Sequence, residues 1–171
     1  MENPMNQLFT TAPQEGPTVS VVGDTYRLVV TGKQTGGDYA MIDMLVPPGG
    51  GPGPHEHAAF HETYYILDGE VLFQFEDKSM TARKGQLVSI PKGGGVHGFK
   101  NVSIANARMI CTVVPSGLDE FFMEIGKPVA PDALLPHPPP MGPDEQKRMQ
   151  AIAERYGQKL YPPDYFDKLN Q

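Results

Sequence analysis

The sequence predicts an all-β fold: an antiparallel sandwich or barrel with a short helical tail at its C-terminus. Three observations carry this. Short β-rich runs recur with turn residues between them. Glycine (19) and proline (18) are abundant among the 171 residues, which favours many short strands over a bundle of helices. Helical periodicity is confined to the region after Pro115.

In chain order, residues 1–18 are polar, contain Pro4, Pro13 and Pro17, and read as an extended arm. Val19–Val22 and Tyr26–Thr31 are β-rich runs about Gly23-Asp24, and Tyr39–Val46 follows the Gly36-Gly37 turn. Residues 47–54 hold four prolines and four glycines, so they form neither helix nor central strand. This loop delivers the chain to His55. Thr63–Leu67 and Glu70–Glu76 flank Asp68-Gly69, a hairpin signal. Ser79–Ala82 and Gln86–Ile90 flank Arg83-Lys84-Gly85, and His97–Asn101 and Ala105–Val114 complete the series. The spacing is that of sandwiches and barrels. Beyond Pro115, Leu118–Ile125 reads as a short helix anchored by Phe121 and Phe122, and residues 128–143 as an extended proline-rich stretch. Asp144 then caps a helix from about Glu145 to Tyr156. Met149, Ile152, Ala153, Tyr156 and Leu160 form its apolar stripe, and Gly157 stops it. The expected organisation is an arm (1–18), one β-domain (19–116) and a tail (117–171) packed on it. A chain of this length buries roughly 70% of its unfolded surface, enough for one core.

Composition narrows the function. Twenty acidic residues against 14 basic give a net charge of −6, and no Lys/Arg cluster interrupts that balance. Nucleic-acid binding and attachment to an anionic membrane are disfavoured. The first seven residues lack the basic and apolar regions of a signal peptide, and no apolar run reaches the ~20 residues of a membrane span. Cys111 is the single cysteine, so no internal disulfide forms. A reducing, cytoplasmic setting is expected, with Cys111 a small buried hydrophobe.

The chemistry concentrates in Gly53-Pro54-His55-Glu56-His57-Ala58-Ala59-Phe60-His61-Glu62 and in His97, which follows Pro91-Lys92-Gly93-Gly94-Gly95-Val96. Imidazoles with a carboxylate are the donors that divalent first-row metals accept. His55 and His57 share a face of an extended chain, because side chains alternate. Strict alternation would add His61, whereas a bend or bulge between Ala58 and Phe60 would add Glu62 instead. Spacing leaves both open.

Two longer patterns contain these residues. His-x-His-x4-Glu-x6-Gly occurs as His55, His57, Glu62 and Gly69. Gly-x5-Pro-x-Gly followed by His-x3-Asn occurs as Gly85, Pro91, Gly93, His97 and Asn101. Together they resemble the two motifs of the cupin superfamily, over about residues 40 to 115. The resemblance implies a single-domain jelly-roll β-barrel holding one divalent transition metal (Mn, Fe, Ni or Co) on His55, His57, Glu62 and His97. Gly93-Gly94-Gly95 gives the second motif one residue more than its usual form, so a bulged loop is expected before His97. His61 is then a rim residue, and His137, within a proline run, a tail residue.

Met41, Phe73, Phe75, Phe99 and Met109 lie in expected strands, and alternation aims some of them at the metal as an apolar pocket. Lys, Arg and Asp are scarce in these strands, which disfavours sugar phosphates and oxalate. The tail, with Phe121-Phe122-Met123-Glu124-Ile125-Gly126, Ala153-Glu154-Arg155-Tyr156-Gly157 and Pro162-Pro163, is similar to that of small quercetinase-like cupins. That resemblance implies dioxygenation of a flavonol-like or other polyhydroxy-aromatic substrate with O2. Glu62 would take the substrate's proton, and Phe121 and Phe122 would form a lid or simply pack the barrel end. The alternatives are a metal-dependent lyase, isomerase or cyclase on a phenolic or polyketide-like molecule, a non-catalytic binding module, and a storage role. Sheet edges and the N-terminal arm suggest a homodimer.

Overall fold

The computed structural model describes residues 8–136 and 138–169. Twelve strands and four short helices follow one another among these residues. They are β1 (Thr18–Val21), β2 (Asp24–Val30), α1 (Gly32–Thr35), β3 (Ala40–Val46), β4 (His55–His57), β5 (His61–Asp68), β6 (Glu70–Phe75), β7 (Ser79–Arg83), β8 (Leu87–Ile90), β9 (His97–Lys100), β10 (Ala107–Val114), α2 (Leu118–Ile125), β11 (Lys127–Pro128), α3 (Pro143–Arg155), β12 (Gln158–Leu160) and α4 (Tyr165–Leu169). All strand pairs are antiparallel. One sheet has the order β11-β1-β2-β3-β10-β5-β8, the other β12-β4-β9-β6-β7. The expected barrel is thus two facing sheets. Among the described residues no ladder joins them into a closed ring.

Period-two patterning sets the inner faces. On β3, Ala40, Ile42, Met44 and Val46 are buried in the core, and on β10 Ala107, Met109, Cys111 and Val113. Met41 alternates with these and is only half-buried, which puts it on the outer face of the first sheet and not in the interior pocket expected for it. Asp43 is buried on that same outer face, where Arg27 (2.9 Å) and Arg108 (2.7 and 2.8 Å) close on it from β2 and β10. Burial pushes the thiol of Cys111 well above its ordinary pKa, and the Glu62 charge adds to this, in keeping with a packing role.

Three sequence expectations are corrected. Asp68-Gly69 is not a hairpin turn: β5 pairs with β10 and β8, whereas β6 pairs with β7 and β9. Gly69 (φ +73°) turns the chain from one sheet to the other instead. Turn chemistry fixes a local reversal but not which strand lies alongside. The third helix starts at Pro143 with Gly142 at its N-cap, two residues before the expected Asp144 cap. Proline's fixed φ and missing N–H suit the first helical position. Leu160 belongs to β12 instead of the helical stripe, because Gly157 (φ +70°) ends the helix and returns the chain as a strand.

The C-terminal segment does more than pack on the domain. β11 pairs with β1 at the edge of the first sheet, and β12 pairs with β4 at the edge of the second. Residues 8–17 are irregular, and Thr11 Oγ1 donates to the Val29 carbonyl at 2.8 Å. Residues 1–7 of the expected arm lie outside the described residues, as does His137. No helix of the described residues is long and apolar enough to cross a membrane.

Candidate metal centre

The glycine- and proline-rich loop before β4 brings the first two histidines inward. Gly51 (φ +127°) passes so close over β9 that a Cβ there would lie 2.1 Å from the Phe99 carbonyl oxygen. Only glycine permits that approach. The strand that follows is three residues long, with His55 and His57 buried and Glu56 on the opposite face. Ala58 and Ala59 then bend, and the chain crosses to the first sheet as β5. This crossing resolves the open choice between His61 and Glu62. Alternation does not carry across a change of sheet, and Glu62 enters the interior from the facing wall. His61 points the other way, its Nε2 2.7 Å from Ser89 Oγ. His97 opens β9, directly opposite His55 in the ladder. The glycine loop before it turns through Gly93 (φ +65°) and Gly95 (φ +82°), and its extra residue does not displace His97.

His55, His57, Glu62 and His97 are all buried, and one ligand atom from each lies within 4.8 Å of every other. Each histidine turns Nδ1 to a backbone carbonyl: His55 to Gly53 (2.9 Å), His57 to Phe60 (3.1 Å) and His97 to Gly95 (2.9 Å). A carbonyl only accepts, so each Nδ1 carries a proton and donates it. In the neutral ring each Nε2 is then a bare lone pair, and these lone pairs converge. Burial and the neighbouring His97 push the pKa of His55 down to about 4, so it is a neutral donor at physiological pH. Burial acts to raise the pKa of Glu62, but hydrogen bonds from His57 and His97, which those rings donate only when Nε2 is protonated as well, outweigh this and hold it well below the ordinary carboxylate range. In the neutral rings the same Nε2 positions are free for a metal.

The donor set fits a divalent ion. His97 Nε2 is buried without a hydrogen-bond partner, and its nearest acidic neighbour, Glu62 Oε2, is 3.5 Å away. Three neutral imidazoles and one carboxylate suit first-row metals bound at about 2.0–2.2 Å, and four protein donors leave positions open on a five- or six-coordinate ion. The backbone carbonyls of Gly53, Phe60 and Gly95 already fix the ring orientations.

The walls are aromatic. Phe99 lies two residues beyond His97, Phe73 is its register partner, and Tyr64 lies two residues beyond Glu62. Their ring centroids are 5.3 to 5.6 Å apart. Phe75 sits across from His97 on β6 and is partly buried, and Met109 is buried in the core. Phe121 and Phe122 anchor α2 instead: Phe122 meets Tyr26 edge-on at 4.9 Å, and Phe121 meets Tyr156 at 5.6 Å. Sequence reasoning missed Tyr64, although period two from Glu62 places it on the inner face. It also missed Phe60, whose ring stacks on His57 at 4.0 Å and 16°, and Gln158, whose signal is only three residues of strand.

Residues 42–113 match the family described as Cupin domain. With the two-sheet fold and its histidine–glutamate cluster, this match supports a cupin domain over these residues. Among characterised relatives, the chain is 24% identical over 114 residues to quercetin 2,3-dioxygenase of Bacillus subtilis (strain 168), covering 67% of this chain and 33% of that protein. It is 30% identical over 71 residues to an oxalate-binding protein of Thermotoga maritima, covering 42% of this chain and 58% of that one. The chain thus spans less than two thirds of the length of either. Of solved structures, KdgF from a Halomonas species superposes with a TM-score of 0.58 at 16% identity, over 67% of this chain and 99% of that one, a likeness of fold.

Proposed function

We propose that this protein is a metal-dependent dioxygenase acting on a flavonol-like or other polyhydroxy-aromatic substrate with O2. The observation that carries the reading is the buried set of three Nε2 donors and Glu62 beside the aromatic walls of Phe73, Phe99 and Tyr64. The similarity to the Bacillus quercetin 2,3-dioxygenase supports it. A bound divalent ion supplies Lewis acidity that lowers the pKa of a coordinated hydroxyl, together with open positions. Glu62, ionised and buried, accepts the proton of the enolic hydroxyl. The Phe73 and Phe99 rings hold a flat substrate and exclude water. Metal analysis of the pure protein, with oxygen uptake on a panel of flavonols and polyhydroxy-aromatics, tests this. About one Mn, Fe, Co or Ni per chain with oxygen consumed is expected. Substrate loss without oxygen uptake would shift the reading to a lyase, isomerase or cyclase using the same carboxylate.

A further inference from the structure

We propose that Gln158, on the C-terminal strand β12, is a ligand-binding residue of the metal site, its side-chain amide donating a hydrogen bond to an oxygen of the small molecule bound there. The inference rests on the reading of the cluster as a small-molecule metal site, and it adds a contact from outside the matched cupin domain.

Register carries the first step. β12 lies antiparallel to β4, pairing Gln158 with His57, Lys159 with Glu56 and Leu160 with His55. Directly opposed residues project to the same face, with Cβ atoms about 4.5–5.5 Å apart. The middle pair marks the outside, where Lys159 Nζ is 3.4 Å from Glu56 Oε1 and both side chains are solvent-accessible. Gln158 therefore shares the inner face with His57, next to the converging imidazoles.

The second step is the state of the amide. Gln158 is only 5% exposed, and its Nε2 has no hydrogen-bond partner. Leaving a buried donor unpaired costs stability, and an amide at the edge of a sheet is easily replaced by an apolar side chain. Its neighbours do not need it: β12 is docked by the Tyr161 N–H on the Pro54 carbonyl (2.9 Å) and by Tyr161 Oη on Glu56 (2.6 Å). A fixed, buried, unpaired donor beside a metal site is arranged to meet an acceptor that arrives with the ligand.

The third step is access. A cleft of about 360 Å³ opens at the edge of this strand pair, lined by His57 and Gln158, by Glu56 and Lys159 of the opposite face, and by Gly93 and Glu154 among others, within the size range of small-molecule sites. An amide N–H is neutral and donates only to acceptors, so the favoured ligand presents a carbonyl or phenolate oxygen beside the metal-chelating group.

The test uses full-length protein loaded with Co(II) under anaerobic conditions. Two probes are titrated by absorbance: quercetin, and tropolone as a generic hydroxyl–carbonyl chelator. Gln158→Met keeps length and packing but removes the donor. It is expected to hold one metal per chain, to melt at or above the wild-type temperature, and to bind tropolone roughly 5–10-fold more weakly, as expected for loss of one hydrogen bond. Gln158→Glu, which keeps the shape and replaces the donor with a carboxylate, is expected to weaken binding further and reads the same contact if the Met protein fails to fold. Tyr161→Phe, which removes the hydroxyl that docks β12 on Glu56 and does not line the cleft, is expected to bind both probes as wild type does. Unchanged tropolone affinity in the Gln158 variants overturns the proposal, as does an equal loss in Tyr161→Phe, which would assign the effect to strand docking. If wild type binds tropolone but not quercetin, and the Gln158 variants still lose affinity, the flavonol reading fails and the Gln158 contact stands. Wild type binding neither probe overturns both.

Discussion

His57 Nε2 and Glu62 Oε2 stand 2.8 Å apart although they come from different sheets. The other nitrogen of His57 donates to the Phe60 carbonyl, so in the neutral ring two acceptors face each other in a buried space. A cation is what such a pair lacks. His57→Ala or Glu62→Ala is therefore expected to lower metal affinity by more than the ~10–100-fold that follows loss of a residue that only orients a ligand. Metal analysis after dialysis against a competing chelator checks this; stoichiometric metal retained by either variant would sink the ligand assignment.

Removing the metal should also be felt by the fold. Three converging lone pairs and a carboxylate are close-packed in the interior, and a ligand that binds only the native state at ~100 times its Kd stabilises by about 2.7 kcal/mol. For a domain of this size that is roughly 5–10 °C in Tm. Calorimetry of the chelated and reloaded protein measures it, and identical melting of the two would count against a resident metal.

Much of this site is legible in the sequence. The two motifs mark its four donors, and period-two patterning marks Phe73, Phe99 and Met109 as inward-facing. What spacing alone leaves open is His61 against Glu62, because alternation is a rule within one strand and the chain changes sheets at Ala58-Ala59. Met41 fails for a related reason: its strand has a buried inner face and a half-buried outer one, and hydrophobicity alone does not say which face it takes. Gln158-Lys159-Leu160 carries no periodic signal at all. It is a strand because β4, about a hundred residues earlier, offers it a free edge, and non-local pairing of that kind leaves no local mark.

Asp43 should show a pH dependence of ordinary sign. Burial acts to raise its pKa, but Arg108 and Arg27 outweigh that and hold it below its usual value. The stabilisation is present above the unfolded carboxylate's pKa and is lost as pH falls through the lowered native value. Asp43→Asn is expected to cost roughly 1–3 kcal/mol at pH 7, discounted for the part-exposed Arg108, and less near pH 2. Denaturant titrations at the two pH values test this; the same loss at both would mean the ion pairs contribute nothing.

Asp24 should show the opposite sign. Its Oδ2 accepts from Tyr26 Oη at 2.9 Å, while its Oδ1 is buried without a hydrogen-bond partner beneath Gly50. Burial outweighs the contacts with Tyr26 and with the Gly51 backbone and pushes its pKa up to about 7 from an ordinary 3.8. The native state therefore keeps a proton that the unfolded chain releases near pH 4. Over that interval the folded form binds more protons, so this group makes stability fall as pH rises and then level off above about 7. Asn cannot titrate. The stability of Asp24→Asn relative to wild type is expected to improve by up to about 4 kcal/mol between pH 4 and pH 8. Urea unfolding of both proteins across that range measures the difference. Parallel stability curves would mean that Asp24 ionises at its ordinary pKa beneath the loop that leads to His55.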